Sequence, residues 1–125
     1  MLNLITDLQG VRVGNVEDPD IVTGTTCVCF DRPNIATALV GGGAPGTRSV
    51  SILQPDTINE DVDAIVLSGG SAFGLDAAGG AMAALAAKGI GFPVGATRVP
   101  IVSQAIVFDL LNGGSVPSDD TPFYW

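Results

Sequence analysis

At 125 residues the chain has room for one compact domain and not for two. Thirteen acidic residues against 5 basic ones give a formal charge of −8, a poor match for nucleic acid or an anionic membrane, and the lack of histidine excludes a Ser-His-Asp triad built by this chain alone. Hydrophobic residues make up 46% and charged residues 14%, with a mean hydropathy of +0.45, which implies surface buried against a partner chain, a further part of the same chain, or a second copy.

In chain order, Val11 to Gly14 reads as a short strand after a turn at Gln9-Gly10, and Thr23 to Phe30 as a longer, nearly charge-free strand. Asp31-Arg32-Pro33-Asn34 is a turn cluster, so Ile35 to Val40 is expected to return as a second strand and 23–40 to form a hairpin. A glycine-rich loop, Gly41 to Arg48, comes next, and Pro55 to Asp63 is an acidic linker. The apolar run Ala64 to Leu67 predicts a buried strand that passes through Gly69-Gly70 into an Ala-rich helix over 71–88, with Ser71 as its N-cap, Asp76 in its first turn and Lys88-Gly89 at its end. Gly79 and Gly80 weaken that helix and imply close packing. Pro93, Gly95 and Pro100 mark a loop, and Ile101 to Leu111 a strand covered on both faces. Residues 112–125 read as loop, with Phe123-Tyr124-Trp125 as the start of a further packed element. The order of elements predicts an α/β or α+β fold.

The N-terminus lacks a basic segment followed by an apolar core, and Asp76 sits within the apolar stretch from Ala64 to Ala87. The expectation is a cytoplasmic protein with no membrane partner. Cys27 and Cys29 would share one face of a strand, as two small half-buried side chains.

The strand-turn-helix segment at 62–78 suggests an active-site floor. A turn through two glycines leaves backbone N–H groups that can receive an oxygen anion. Ser71 lacks the Gly-x-Ser-x-Gly spacing of a nucleophile elbow, and no base accompanies it. Gly41 to Gly46 has P-loop glycine spacing, but Thr47 stands where the lysine belongs. Gly69, Gly70 and Gly74 do not form a dinucleotide-binding fingerprint. Arg48 suits either a substrate carboxylate or, preferably, a structural tie to an acidic neighbour. Metal ligation has no support.

Several stretches together resemble the P1 family of N-terminal-nucleophile peptidases, which holds the DmpA-like L-aminopeptidase/D-esterases and β-peptidyl aminopeptidases. They are Ile5-Thr6-Asp7, Gly10 to Gly14, Gly42 to Arg48, Leu67 to Ala78, Val99-Pro100-Ile101-Val102 and Phe108-Asp109-Leu110. The resemblance covers nearly the whole chain and implies the N-terminal fragment of a self-cleaving hydrolase with a layered αββα sandwich, oligomeric and free of cofactors. In such proteins the nucleophile is the new N-terminal Ser or Thr of the downstream piece, and its α-amino group or a nearby side chain can act as base. That piece, the cleavage site and the oxyanion-hole Asn would lie beyond Trp125.

The chain, read as one incomplete domain over 1–125, is thus expected to have no catalytic residue of its own. Its expected contribution is a pocket wall for a peptide or amide substrate, made by Gly69, Gly70, Ser71, Phe73 and Phe108, and a structural loop made by Gly43, Pro45, Gly46 and Arg48. Ser49-Val50-Ser51 departs from the acidic and hydroxyl residues that often follow the loop, Asn15 stands where His is common, and Phe108 stands where some members have Tyr. Two rival readings remain open: a non-catalytic assembly module, and an acyl transferase related to ornithine acetyltransferase.

Overall fold

A computed structural model describes residues 2–59 and 61–114. The proposed terminal element at Phe123-Tyr124-Trp125 lies outside the described residues. The strands are β1 (Val11–Asp18), β2 (Thr23–Ile35), β3 (Thr47–Arg48), β4 (Asp61–Ser68), β5 (Phe92–Val94), β6 (Thr97–Val99) and β7 (Val102–Ile106), and the α-helix is α1 (Ala77–Ala86). A five-stranded sheet runs in the order β1-β2-β4-β7-β3, and β5 and β6 form a separate pair. β4 and β7 are parallel, and the other neighbours in the large sheet are antiparallel. The class is mixed α and β.

β2 does not turn at Asp31-Arg32-Pro33-Asn34. Its hairpin partner lies upstream: β1 pairs with it from Val11↔Phe30 to Asp18↔Thr23. The Asp18 carboxylate closes that hairpin by accepting the Asp20 and Ile21 N–H groups at 2.9 and 3.2 Å. The punctuating residues instead make a bulge. Between Cys29↔Ala64 and Asn34↔Val62, β2 advances five residues while β4 advances two. Pro33, which has no N–H to give a ladder, sits in this interval. The strand expected over Ile35 to Val40 is therefore only the tip of β2, and residues 36–46 are irregular.

β4 is the central strand. Val62, Ala64, Val66 and Ser68 alternate onto the face that carries α1, and all four are buried. Ala77, Ala78 and Leu85 of α1 pack there with Val102 of β7, and Cys27, Cys29, Ala81, Met82 and Ile90 border the cluster. The predicted helix divides in two: a 3-10 segment, Ser71–Asp76, leads into α1. Its end is as read. The Gly89 N–H reaches the Ala86 carbonyl at 2.9 Å and the Ile90 N–H reaches that of Leu85 at 3.1 Å, the paired bonds of a glycine-ended helix.

Two further expectations are corrected. Residues 92–99 form the β5–β6 hairpin around Gly95-Ala96 in place of a loop, because the prolines lie at positions that a short two-stranded ribbon tolerates. β7 stops at Ile106, leaving Val107 and Phe108 in solvent.

On the opposite side of the sheet no α-helix is present among the described residues, and the 3-10 turn Ser51–Leu53 contributes Leu53 to that side. Ile65, Leu67 and Ala105 point that way by strand alternation, and Leu67 is 51% exposed. With residues 36–41 and 44–46 they line an apolar groove of about 460 Å³. No helix among the described residues is long and apolar enough to cross a membrane.

Candidate functional site

Because β4 and β7 are adjacent and parallel, both chains leave the sheet at the same end. The segments that follow, residues 69–76 and 107–114, are thereby brought side by side. The space beyond the carboxyl ends of parallel strands is where open sheets usually receive ligands.

The two segments are stitched together by backbone. The Val107 N–H donates to the Ser68 carbonyl at 2.9 Å, and the Ser71 N–H donates to that of Val107 at 3.1 Å. Asp109 adds a clamp. Its Oδ1 accepts the Gly70 N–H at 2.7 Å, and its Oδ2 accepts the Thr23 hydroxyl at 2.5 Å. The Gly69 N–H reaches the Gly24 carbonyl at 2.9 Å. The N–H groups of Gly69, Gly70 and Ser71 are therefore all engaged within the chain, and an open oxyanion cradle at these three positions is not what the structure presents.

Backbone shape explains the glycines. Gly70 has φ +81°, the left-handed region, and it stands at the N-cap position of the 3-10 segment that the sequence assigned to Ser71. Ser71 itself has φ 54°, uncommon for a residue with a side chain. Gly74 folds back so closely that a methyl group there would collide with the Gly69 carbonyl oxygen.

Beneath the turn lies a buried polar network. Gln104 of β7 is 1% exposed. Its Nε2 donates to the Ser68 Oγ at 2.8 Å and to the Gly74 carbonyl at 2.6 Å, and its Oε1 accepts the Ala78 N–H at 3.3 Å. Ser68 Oγ also donates to the Gly74 carbonyl at 3.0 Å. Asp76, at the N-cap of α1, makes no side-chain cap bond. Gln104 takes over that duty from a neighbouring strand, satisfying one of the N–H groups that a helix start leaves bare.

The sequence-predicted pocket residues thus gather at one end of the sheet. Gly69 and Gly70 are buried in the turn, Ser71 is half-buried, and Phe73 and Phe108 stand 51% and 66% exposed on the two neighbouring loops. The glycine-rich loop is separate. Gly43 and Pro45 are exposed, while Gly46 accepts the Ile106 N–H at 3.0 Å and so joins the loop to β7. Arg48 finds a carbonyl, not a carboxylate: Nη1 donates to Leu75 O at 3.1 Å, and Nη2 lies 3.7 Å from the Met82 sulfur. It braces the 3-10 segment against β3.

Asp109, Thr23 and Gln104 are the organising residues that motif reading did not single out. For Asp109 the signal available was its place in Phe108-Asp109-Leu110, directly after an apolar run. Among the described residues no cluster of three or more His, Cys, Asp or Glu side chains could hold a metal.

The chain matches the model of peptidase family S58 over residues 3–121. It is similar to uncharacterized aminopeptidases of Mycobacterium tuberculosis and Mycobacterium bovis, each 41% identical over 121 residues, covering 90% of this chain and 35% of the relative. It is also similar to an uncharacterized aminopeptidase of Mycobacterium leprae, 38% identical over 120 residues, with 90% and 33% covered. The chain therefore spans about a third of the length of the curated relatives it matches. With the match extending over almost all of its residues, the chain belongs to peptidase family S58.

Proposed function

We propose that this chain is the N-terminal scaffold and substrate-pocket portion of a self-cleaving aminopeptidase or amidohydrolase acting on peptides or amides. A downstream portion supplies the nucleophile as a new N-terminal Ser or Thr. Its α-amino group, with an unperturbed pKa of about 8, serves as base near neutral pH. The hydroxyl attacks the scissile carbonyl, the amine leaves, and water releases the acyl group. The same downstream portion lays a second sheet on the open face of the first, completing an αββα sandwich, and the processed unit assembles with copies of itself.

The observation that carries this reading is an imbalance at the sheet end. The chain builds a braced turn flanked by Phe73 and Phe108, yet that turn's first N–H groups are internally used and the sequence has no histidine to activate Ser71. Family membership and the one-third span of the relatives agree with it. In this arrangement Phe73 and Phe108 shape the pocket through contact alone.

The test expresses the natural reading frame and, separately, residues 1–125. Intact-mass analysis of the first is expected to give two pieces, the downstream one beginning with Ser or Thr, and hydrolysis of aminoacyl p-nitroanilides. Residues 1–125 are expected to hydrolyse none. Activity in residues 1–125, or full activity in an uncut product, would contradict the proposal.

A further inference from the structure

The hydrolase reading makes no use of the two thiols on β2. Cys27 and Cys29 leave the same face of the strand, and their sulfurs are 3.5 Å apart. Both are half-buried beside Ala64, Val66 and Ala78 at the margin of the core.

Three chemistries could join such a pair, and geometry separates them. A disulfide brings the sulfurs to about 2.05 Å, while two steps of an extended strand hold the Cα atoms about 6.6 Å apart, near the upper limit of what a disulfide spans. A cation such as zinc requires deprotonated thiolates and usually four ligands. Here the Cys27 thiol is pushed up to about 12 by burial and by its bond to Cys29, and no third ligand accompanies the pair among the described residues. An electrophile that takes up two neutral thiols and expels water is not opposed by a raised thiol pKa, and it bridges sulfurs already in contact.

Space is available beside them. Gly14 of the edge strand β1 faces Cys27 directly, and cross-strand neighbours share a face. A methyl group built on Gly14 would meet nothing within 4 Å. Gly14 is itself exposed, on the strand that ends the sheet.

We propose that Cys27 and Cys29 form a two-sulfur binding site for a trivalent organoarsenical, with its organic group over Gly14. With R–As(OH)₂, two As–S bonds form and two As–O bonds break. Each thiol proton leaves with a hydroxide, giving two waters, and nothing is oxidised or reduced.

The test uses phenylarsine oxide on the protein expressed from its natural reading frame, with the Cys27→Ser, Cys29→Ser double variant as the blank. One adduct more than the blank is expected by non-denaturing mass spectrometry, with loss of both thiols to iodoacetamide labelling. The thermal midpoint is expected to rise, because a ligand held by the folded state stabilises it. Either single serine variant should lose the extra adduct. Gly14→Leu, which keeps both thiols and fills the gap, should weaken binding by about tenfold or more. The proposal is overturned by any of four results: no extra adduct, an adduct that survives a single serine substitution, affinity unchanged in Gly14→Leu, or an adduct accompanied by a lowered midpoint, which would mean capture of the unfolded chain.

Discussion

Asp109 and Gly74 concentrate the demands of the turn into two side-chain choices. Removing the Asp109 carboxylate leaves the Gly70 N–H and the Thr23 hydroxyl without their acceptor. In the protein from its natural reading frame, Asp109→Ala is expected to lower stability by about 1–3 kcal/mol in urea unfolding, the usual penalty for a stranded donor. Asp109→Asn, which still offers Oδ1 to Gly70, should lose less. Gly74→Ala forces a methyl into the Gly69 carbonyl and should cost ~2 kcal/mol or more. The Cys27 thiol adds a pH signature. The folded chain holds that proton more tightly than the unfolded one, whose value is 9.0, so the contribution is complete below pH 9 and is lost as pH rises toward 12. Denaturation midpoints measured across that window should fall less steeply in Cys27→Ala. The glycine turn was legible in the sequence because Gly69-Gly70 is a local signal. Asp109 was not, since its partners lie 39 and 86 residues away and only the pairing of β4 with β7 on one side and β2 on the other brings them together.

Among the elements, α1 shows why local reading ran short. Its apolar content and its Lys88-Gly89 end were plain in the sequence, and the end is as expected. The start was placed at Ser71 on capping preference, but the close return of Gly74 winds residues 71–76 into a 3-10 segment first. The helix is then capped by Gln104 from β7, a contact with no sequence-local trace. Gln104→Leu, similar in bulk and unable to bond, strands the Ala78 N–H and weakens the fixing of Ser68 and the Gly74 carbonyl. It is expected to lower stability by about 2–4 kcal/mol in urea unfolding, above the loss for a single neutral hydrogen bond, because several partners are affected together. β2 taught the opposite lesson. Asp31-Arg32-Pro33-Asn34 has turn composition, yet pairing with β1 and β4 on either side holds the chain extended and absorbs these residues as a bulge. Tertiary pairing overrode a correct local preference.

At the scale of the molecule, the composition led to the expectation that apolar surface is covered by a further element, and the structure shows apolar residues exposed on one face of the large sheet. One face of the large sheet packs on α1, and the other presents Ile65, Leu67, Ala105 and the apolar groove beside residues 36–46. What sequence reading could not supply was which face, since β4 is apolar on both and only the position of α1 distinguishes them. The central claim is that this face belongs against the remainder of a longer peptidase of family S58. Sedimentation velocity on residues 1–125 alone, at micromolar concentration, tests it most directly. The account predicts associated or aggregated species, dispersed into a discrete assembly when the downstream portion is present. A sharp 12.6 kDa monomer boundary for residues 1–125, stable over the same concentrations, would contradict it.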